Sequence, residues 1–433
     1  MNPGPYSAYL MIGVVIGLTA LKDMSNKAVI TIIPYVTLFD KIKKRIPATF
    51  NDFFLTITWK HFVAGTVIIM AMMLPATLSR AAFLGVAVVI LFIYRDEYWK
   101  YRYILWGTIA LVGIAFYFFK QGSADGRLLI WKSAFATWID TPWLGVGIGG
   151  FLHAVAEGIA QLSSTNTDFS SAGVADYAYN VLLKIVIEQG LLGGVMAVSF
   201  AITALIRLYY NSKPLFYGMV SLLVFSMFSY PFDLLPYKVI AILIVAWSES
   251  FEGKRMYEIG KIKVLLFSSF LGFASWHAGK LAGICFQIEW DSYMPLSFNS
   301  FSIEEGYKWQ PSVNDYSHFL YVFGKKLREE GRYNESNAIF HQATRCSADP
   351  VLYIVMGNNY KDMKHYDLAE QVYYKAFAVM PNRLYPLYQL MLLYKDSGNM
   401  KKAKAMARRV IEMKPKIESP ATREMKKKAR EML

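Results

Sequence analysis

Residues 180–207 read NVLLKIVIEQGLLGGVMAVSFAITALIR, and this run decides the fold. From Gln189 to Ile206 no charged residue interrupts it. A helix needs about 20 mostly apolar residues to cross a bilayer, so the run predicts a membrane-spanning helix. Other stretches pass the same reading at 5–21, 62–78, 81–94, 103–119, 214–229, 235–250 and 264–284. The expected architecture is therefore all-α, a polytopic bundle of about eight spans. The third stretch is short, and Ser79-Arg80 separates it from the second. Residues 28–38 are apolar but too short to span, which fits an interfacial or re-entrant segment.

Composition supports a chain that lives in two solvents. Charged residues make up 18% of the 433 residues, below the roughly 25% of soluble domains. They are sparse up to about residue 285 and dense beyond it. The formal net charge of +14 resides largely in short loops between apolar runs and in the last stretch, 401–430. Basic short loops report orientation in a membrane protein. No basic stripe interleaved with aromatics follows a nucleic-acid-binding module, so nucleic acid is excluded as a partner. The two cysteines, Cys285 and Cys346, lack metal-site spacing and read as buried thiols.

Lysine and arginine placement sets the topology. Lys22, Lys27, Lys41, Lys43, Lys44 and Arg45 follow the first span, and Arg95, Lys100 and Arg102 follow the third. Arg207 and Lys213 follow the fifth, and Lys254, Arg255, Lys261 and Lys263 follow the seventh. These alternate loops fall on one side, the cytoplasmic one. Both termini and the long loop 120–178 are then outside. The N-terminus has no positive region before its apolar run, so it does not read as a signal peptide.

Beyond residue 285 the pattern becomes that of amphipathic helices with a repeat of about 34 residues. Tyr353, Met356, Gly357, Tyr360, Ala369, Tyr373, Ala376 and Pro381 fall at tetratricopeptide positions. The following copy keeps Leu387, Leu390, Tyr394, Ala403 and Pro415. A preceding copy keeps Gly324, Phe340 and Ala343, with its turn at Gly331. Small residues let paired helices approach, and three copies are about the minimum for a stack. The expected organisation is a membrane domain over 1–285, a linker over 286–314, repeats over 315–420 and a basic helical tail over 421–433. The tail reads as a solvated capping helix, with contact to anionic lipid or glycan phosphate as the other reading.

The chemistry-bearing residues gather in and around the loop 120–178. Gly126-Arg127 is followed by Trp131, then by Pro142, Leu144, Gly145, Gly147 and Gly149-Gly150-Phe151. The loop ends at Asp176, Tyr179 and Asn180, which open the span containing Glu188-Gln189-Gly190. A glycine cluster alone reads equally well as a turn. Arginines beside apolar spans are stronger signals, because an unpaired charge at a helix centre costs about 2.5–3.5 kcal/mol on insertion scales. If Arg80 and Arg127 share a polar cavity, two guanidinium forks suit a pyrophosphate at the membrane surface and stabilise a departing phosphate. The acceptor hydroxyl then needs a base or orienting group. Candidates are Asp176, Tyr179, Glu157 and His153, although a phenol ordinarily titrates near 10 and is a poor base. His153 reads equally as structural. Lys184 and Glu188, four apart, read as a helix-stabilising ion pair. There is no D-x-D pair and no Walker loop, so no metal site for sugar nucleotides and no ATP-driven transport is expected.

At these residues the chain resembles the O-antigen ligase and polymerase family of bacterial inner-membrane glycosyltransferases. The resemblance rests on Asn2-Pro3 through Leu10, Ser79-Arg80-Ala81, Gly126-Arg127 with Trp131, residues 142–151 and residues 180–193. With its repeats the chain is similar to the repeat-bearing members. The resemblance implies transfer of glycan from an undecaprenyl-diphosphate carrier to lipid A core, a growing polysaccharide or a protein. It implies the periplasmic face of the inner membrane, with the repeat domain periplasmic and membrane lipids around the bundle. It implies Arg80 and Arg127 as diphosphate contacts, Trp131, Asn180 and Glu188 as supporting residues, and no cofactor or metal. Two departures stand out. The family often carries His-Asn where this chain has Tyr179-Asn180, which leaves Asp176 or Tyr179 as the catalytic group or implies that the repeat-bearing members work differently. The Asn-Pro motif, mid-chain in the family, begins here at Met1, which implies missing N-terminal spans and an inactive fragment without them. A different reading is a membrane-anchored scaffold whose repeats recruit a protein partner without catalysis.

Overall fold

A computed structural model describes residues 4–26, 59–94, 103, 107, 121–163, 169, 173, 175–249, 269, 276, 279–280, 282–286 and 301–433. The motif at Asn2-Pro3, the stretch 28–38 and the basic loop following Lys27 lie outside the described residues. So do most of the spans expected at 103–119 and 264–284.

Among the described residues every regular element is helical. The first group is α1 (Gly4–Asn26), α2 (Trp59–Met73), α3 (Arg80–Ile93), α4 (Gln121–Trp138), α5 (Phe151–Leu162), α6 (Val181–Asn211), α7 (Lys213–Ser226) and α8 (Leu235–Glu249). The second is α9 (Ile303–Trp309), α10 (Ser317–Glu329), α11 (Tyr333–Ala343), α12 (Pro350–Asp362), α13 (Tyr366–Val379), α14 (Tyr385–Asp396), α15 (Met400–Glu412) and α16 (Pro420–Glu431). Two stretches, Tyr6–Asp23 and Val181–Asn211, are long and apolar enough to cross a membrane. Four more apolar helices, His61–Thr77, Arg80–Ile93, Lys213–Ser226 and Leu235–Trp247, are shorter. Among the described residues, two helices therefore meet the length for a crossing by themselves.

The chain divides into two units. The first takes residues 1–119, 179–182 and 195–254. Its core joins Ala8, Met11 and Ile12 of α1 to Ala82 of α3, Leu208 of α6, Leu222 and Phe225 of α7 and Tyr237 of α8. Small residues let these helices approach closely. A Cβ on Gly85 would stand 2.4 Å from Met11 Sδ and 3.2 Å from the Ser221 carbonyl oxygen. The hydroxyls of Thr19 and Ser221 donate to Val15 O and Gly218 O of their own helices, so neither is buried without a partner. Outward faces are apolar: Val195, Met196, Phe200 and Tyr210 on α6 are all more than half exposed. Such a surface calls for lipid or another apolar cover.

The α2–α3 junction forms where Ser79-Arg80 marked it. α2 stops at Met73, earlier than hydropathy indicates, because Pro75 opens a short 3-10 turn and Leu78 turns left-handed at φ 47°. Ser79 then caps α3, its hydroxyl accepting the Ala82 N–H.

The second unit takes residues 120–178, 183–194 and 255–433. The long loop thus falls in the same unit as the repeats. The repeats are three helical hairpins, α10–α11, α12–α13 and α14–α15. Size complementarity recurs down the stack. Gly324 faces the Phe340 ring and Gly357 faces the Tyr373 ring, each too closely for any side chain. In the third hairpin the sizes exchange, with buried Met391 on the first helix and buried Ala407 on the second.

Each hairpin turn needs a left-handed residue. Gly331, Lys364 and Gly398 have φ of 73°, 63° and 76°. Lysine costs about 1–2 kcal/mol there, less what glycine loses in chain entropy. Lys364→Gly is expected to stabilise the repeats by about 1 kcal/mol, and Gly331→Lys to destabilise them by a similar amount. Thermal unfolding followed by circular dichroism checks both, and equal midpoints for all three chains would contradict the turn argument.

Residues 303–314, expected as part of a linker, are instead structured. Ser302 and Glu305 form a reciprocal capping box that starts α9. Phe301 and Val313 are buried with Phe319, Phe323 and Phe340 in the core of the first hairpin. Cys285 and Cys346 are half-buried at the edge of that cluster. Burial and the nearby Asp315 push the Cys346 thiol up to about 11. At the far end α16 covers the last hairpin with Met425, Ala429 and Met432, while most of its lysines stay exposed. The tail is a capping helix.

Candidate functional site

The loop region of the second unit is built on one cluster. Ala134 of α4, Phe151, Ala154, Val155 and Ile159 of α5, Ala175, Ala178 and Ile187 are buried together. α4 and α5 touch backbone to backbone: a Cβ on Gly158 would fall 1.8 Å from the Ser133 carbonyl oxygen. Thr137 reinforces the pair by donating to Ala154 O at 2.8 Å.

The glycines of 142–150 have a definite job. α6 is broken at Gly190, whose φ of 68° and ψ of −172° are open to glycine almost alone. At the break, Leu191 and Leu192 lose their helical acceptors, Ile187 O and Glu188 O. The loop supplies both sides. Val146 N–H donates to Ile187 O and Gly147 N–H to Glu188 O, each at 2.9 Å. Leu191 N–H donates to Pro142 O at 2.9 Å and Leu192 N–H to Trp143 O at 3.5 Å. Backbone meets backbone so closely that a Cβ on Gly190 would lie 2.0 Å from Trp143 O, and one on Gly145 2.5 Å from the Glu188 carbonyl carbon. Beyond the break, residues 191–211 still reach about 31 Å as a helix, enough to cross the hydrocarbon core. The loop tip exposes Trp143, Leu144 and Ile148.

Arg127 and Trp131 stand one turn apart on α4, both half-buried. The Trp131 indole N–H donates to Ala178 O at 2.8 Å. This bond ties the 175–178 segment to the helix that carries Arg127. Asp176 in that segment is exposed, so its carboxylate is open to solvent. Glu188 is buried, at 6% exposure, and Lys184 one turn before it is half-buried.

The remaining expected residues belong to the first unit. Arg80 is the first residue of α3 and half-buried. Ser79 Oγ takes the Ala82 N–H at this helix start, and the positive end of the helix adds to the guanidinium charge, a favourable place for an anion. Tyr179 is left-handed, with φ 55°. Its ring meets the Tyr230 ring edge-on at 5.6 Å. Asn180 follows it and is half-buried.

Two base candidates make contacts with the repeats. His153 Nδ1 lies 3.0 Å from Thr344 O; a carbonyl only accepts, so this nitrogen carries the hydrogen. Glu157 is ion-paired with Lys375 at 2.5 Å. Both side chains are engaged by the repeats. Burial and the Glu157 charge push the Tyr353 phenol up to about 12. Sequence reading missed these contacts, although α5 carries a clue. Phe151, Val155 and Ile159 make one apolar face, while Leu152 and Ala156 make a second that needs its own partner. Among the described residues no group of His, Cys, Asp and Glu is arranged to hold a metal ion.

Residues 65–198 match the O-antigen ligase family model. Residues 351–382 and 386–417 each match the tetratricopeptide repeat model. None of the curated proteins matches the chain. The chain thus joins a segment similar to the O-antigen ligase family to C-terminal tetratricopeptide repeats.

Proposed function

We propose that the chain transfers glycan from an undecaprenyl-diphosphate carrier to an acceptor hydroxyl at the periplasmic face of the inner membrane. The observation that carries this reading is the span of the ligase match: 65–198 contains Arg80, Arg127, Trp131, Asp176, Tyr179, Asn180 and Glu188. In the reaction the acceptor oxygen bonds to the anomeric carbon of the donor sugar. The bond from that carbon to the phosphate oxygen breaks, and undecaprenyl diphosphate departs. Arg80 and Arg127 contact the diphosphate and neutralise charge that builds on it. Asp176, an exposed carboxylate on a segment pinned by Trp131, takes the hydroxyl proton. Tyr179 and Asn180 orient the acceptor. The multi-pass bundle lies in the inner membrane, with loop 120–178 and the repeats outside and the carrier's prenyl chain in lipid.

The test uses full-length protein in nanodiscs, a radiolabelled undecaprenyl-diphosphate oligosaccharide and a lipid A core or polysaccharide acceptor. Labelled acceptor is the expected product. Asp176→Asn is expected to lower kcat about 10²–10⁴-fold, the usual range for a general base, with Tyr179→Phe less affected. A rate unchanged in Asp176→Asn ends its assignment as the base. No transfer to any acceptor, together with capture of a protein partner by the repeats, would favour the scaffold reading.

A further inference from the structure

α5 stands between two parts of the second unit. One face, Phe151, Val155 and Ile159, packs in the cluster with α4, which carries Arg127 and Trp131. The other face meets the repeats. Ala156 is fully buried among residues of the second and third hairpins. His153 bonds Thr344 O, and Glu157 pairs with Lys375. Further along, Asn382 donates to the Phe169 carbonyl at 2.9 Å. These contacts join residues 191, 218 and 213 positions apart. A connection as long as 139–180 would sample many conformations if it lacked such anchors. Catalysis of the proposed kind needs the opposite, since ångström-scale misplacement of a contacting group costs about 10²-fold in rate.

We propose that the repeats act as an internal brace, holding the arginine-bearing helix in working geometry through α5, so that Glu157, Lys375 and His153 are positioning residues for the transfer reaction. The inference rests on the functional reading above. It assigns the repeat surface formed by Thr344, Lys375 and Asn382 to this chain's own loop. A protein partner must then use a different face or displace the loop. Displacement would loosen α4 and slow transfer, which makes the repeats a control point.

The ion pair offers a clean test because its charges can be exchanged. Glu157→Lys, Lys375→Glu and the double exchange are prepared as full-length chains in nanodiscs. Hydrogen exchange of peptides from 139–163 and 175–180 reads the docking, and kcat with acceptor KM reads the coupling. Each single variant is expected to exchange faster in those peptides and to lose about tenfold in kcat, with acceptor KM unchanged. The double variant is expected to recover both to within about threefold of the parent. Single variants that exchange and turn over like the parent overturn the brace. Losses that the double variant fails to recover also overturn the charge-pair assignment. If docking responds as expected while kcat does not, the positioning role falls and the transfer reading stands. If the parent chain transfers nothing, the functional reading itself fails, and the positioning role with it.

Discussion

Gly190→Ala is expected to abolish the native fold of the loop region. The residue sits at φ 68°, ψ −172°, where a side chain costs about 1–3 kcal/mol in backbone strain. The new Cβ would also meet Trp143 O at 2.0 Å and Leu144 N at 2.5 Å. Both are main-chain atoms, so no side chain can swing aside. Relief requires the loop to leave, which breaks the bonds to Ile187 O, Glu188 O, Leu191 N and Leu192 N. Each is worth about 0.5–1.5 kcal/mol, and leaving a buried group unmet costs more. The sum exceeds about 4 kcal/mol, a large part of the stability of an ordinary domain. Detergent-extracted protein should shift from a monodisperse peak to aggregate in size-exclusion chromatography. Gly145→Ala should behave alike, since φ there is 71° and a Cβ would touch the helix backbone. Gly65→Ala is the control. It lies in α2 with nothing within 4 Å of a new Cβ, and alanine is the better helix former. A monodisperse Gly190→Ala chain with an unchanged melting point would show that the loop does not lock the break.

Why that break escaped the sequence reading is instructive. The apolar runs on either side of Glu188-Gln189-Gly190 read together as one helix by length and composition. Neither signal reports backbone angles, so the φ of 68° at Gly190 leaves no mark on them. The left-handed turn exists only because a loop some forty residues upstream supplies replacement hydrogen bonds. Local signals with a local cause were legible: the break between the second and third apolar runs at Ser79-Arg80, Gly331 at a hairpin turn, and Gly357 and Tyr373 at repeat positions. The box at Ser302 and Glu305 was equally local and marks α9, but it fell within a stretch read as linker. Roles set by distant partners were not legible. His153 and Glu157 have the right chemistry for proton transfer, and nothing in their neighbourhood reveals Thr344 and Lys375 two hundred residues on. Asp176 stays exposed, while the other two charge-bearing candidates are bonded into the fold.

Arg80→Ala and Arg127→Ala are each expected to lower kcat for glycan transfer by about 10²–10³-fold, the loss typical of deleting one preorganised stabiliser of developing negative charge. Arg80 sits at a position that ordinary helix electrostatics disfavours. A cation in the first turn opposes the helix dipole at a cost of about 0.3–1 kcal/mol. A bound anion reverses that sign, because the same N–H groups and guanidinium then act together. Arg127 shares a helical face with Trp131, which is anchored to Ala178 O, so its backbone is held by tertiary contact. Both side chains are half-buried, and their truncation should leave size-exclusion profiles intact. Lysine in either place keeps the charge and loses the planar fork that engages two phosphate oxygens. Arg80→Lys and Arg127→Lys should therefore retain partial activity, about tenfold below the parent. Arg207→Ala, an exposed arginine further along α6, should stay within about twofold. If the catalytic substitutions behave like Arg207→Ala, charge near the diphosphate is not what drives the reaction. If lysine restores full activity, a point charge suffices and the bidentate contact is wrong. If only one arginine responds, the carrier is held by a single fork, and the search for its companion moves to the remaining basic residues of the ligase segment.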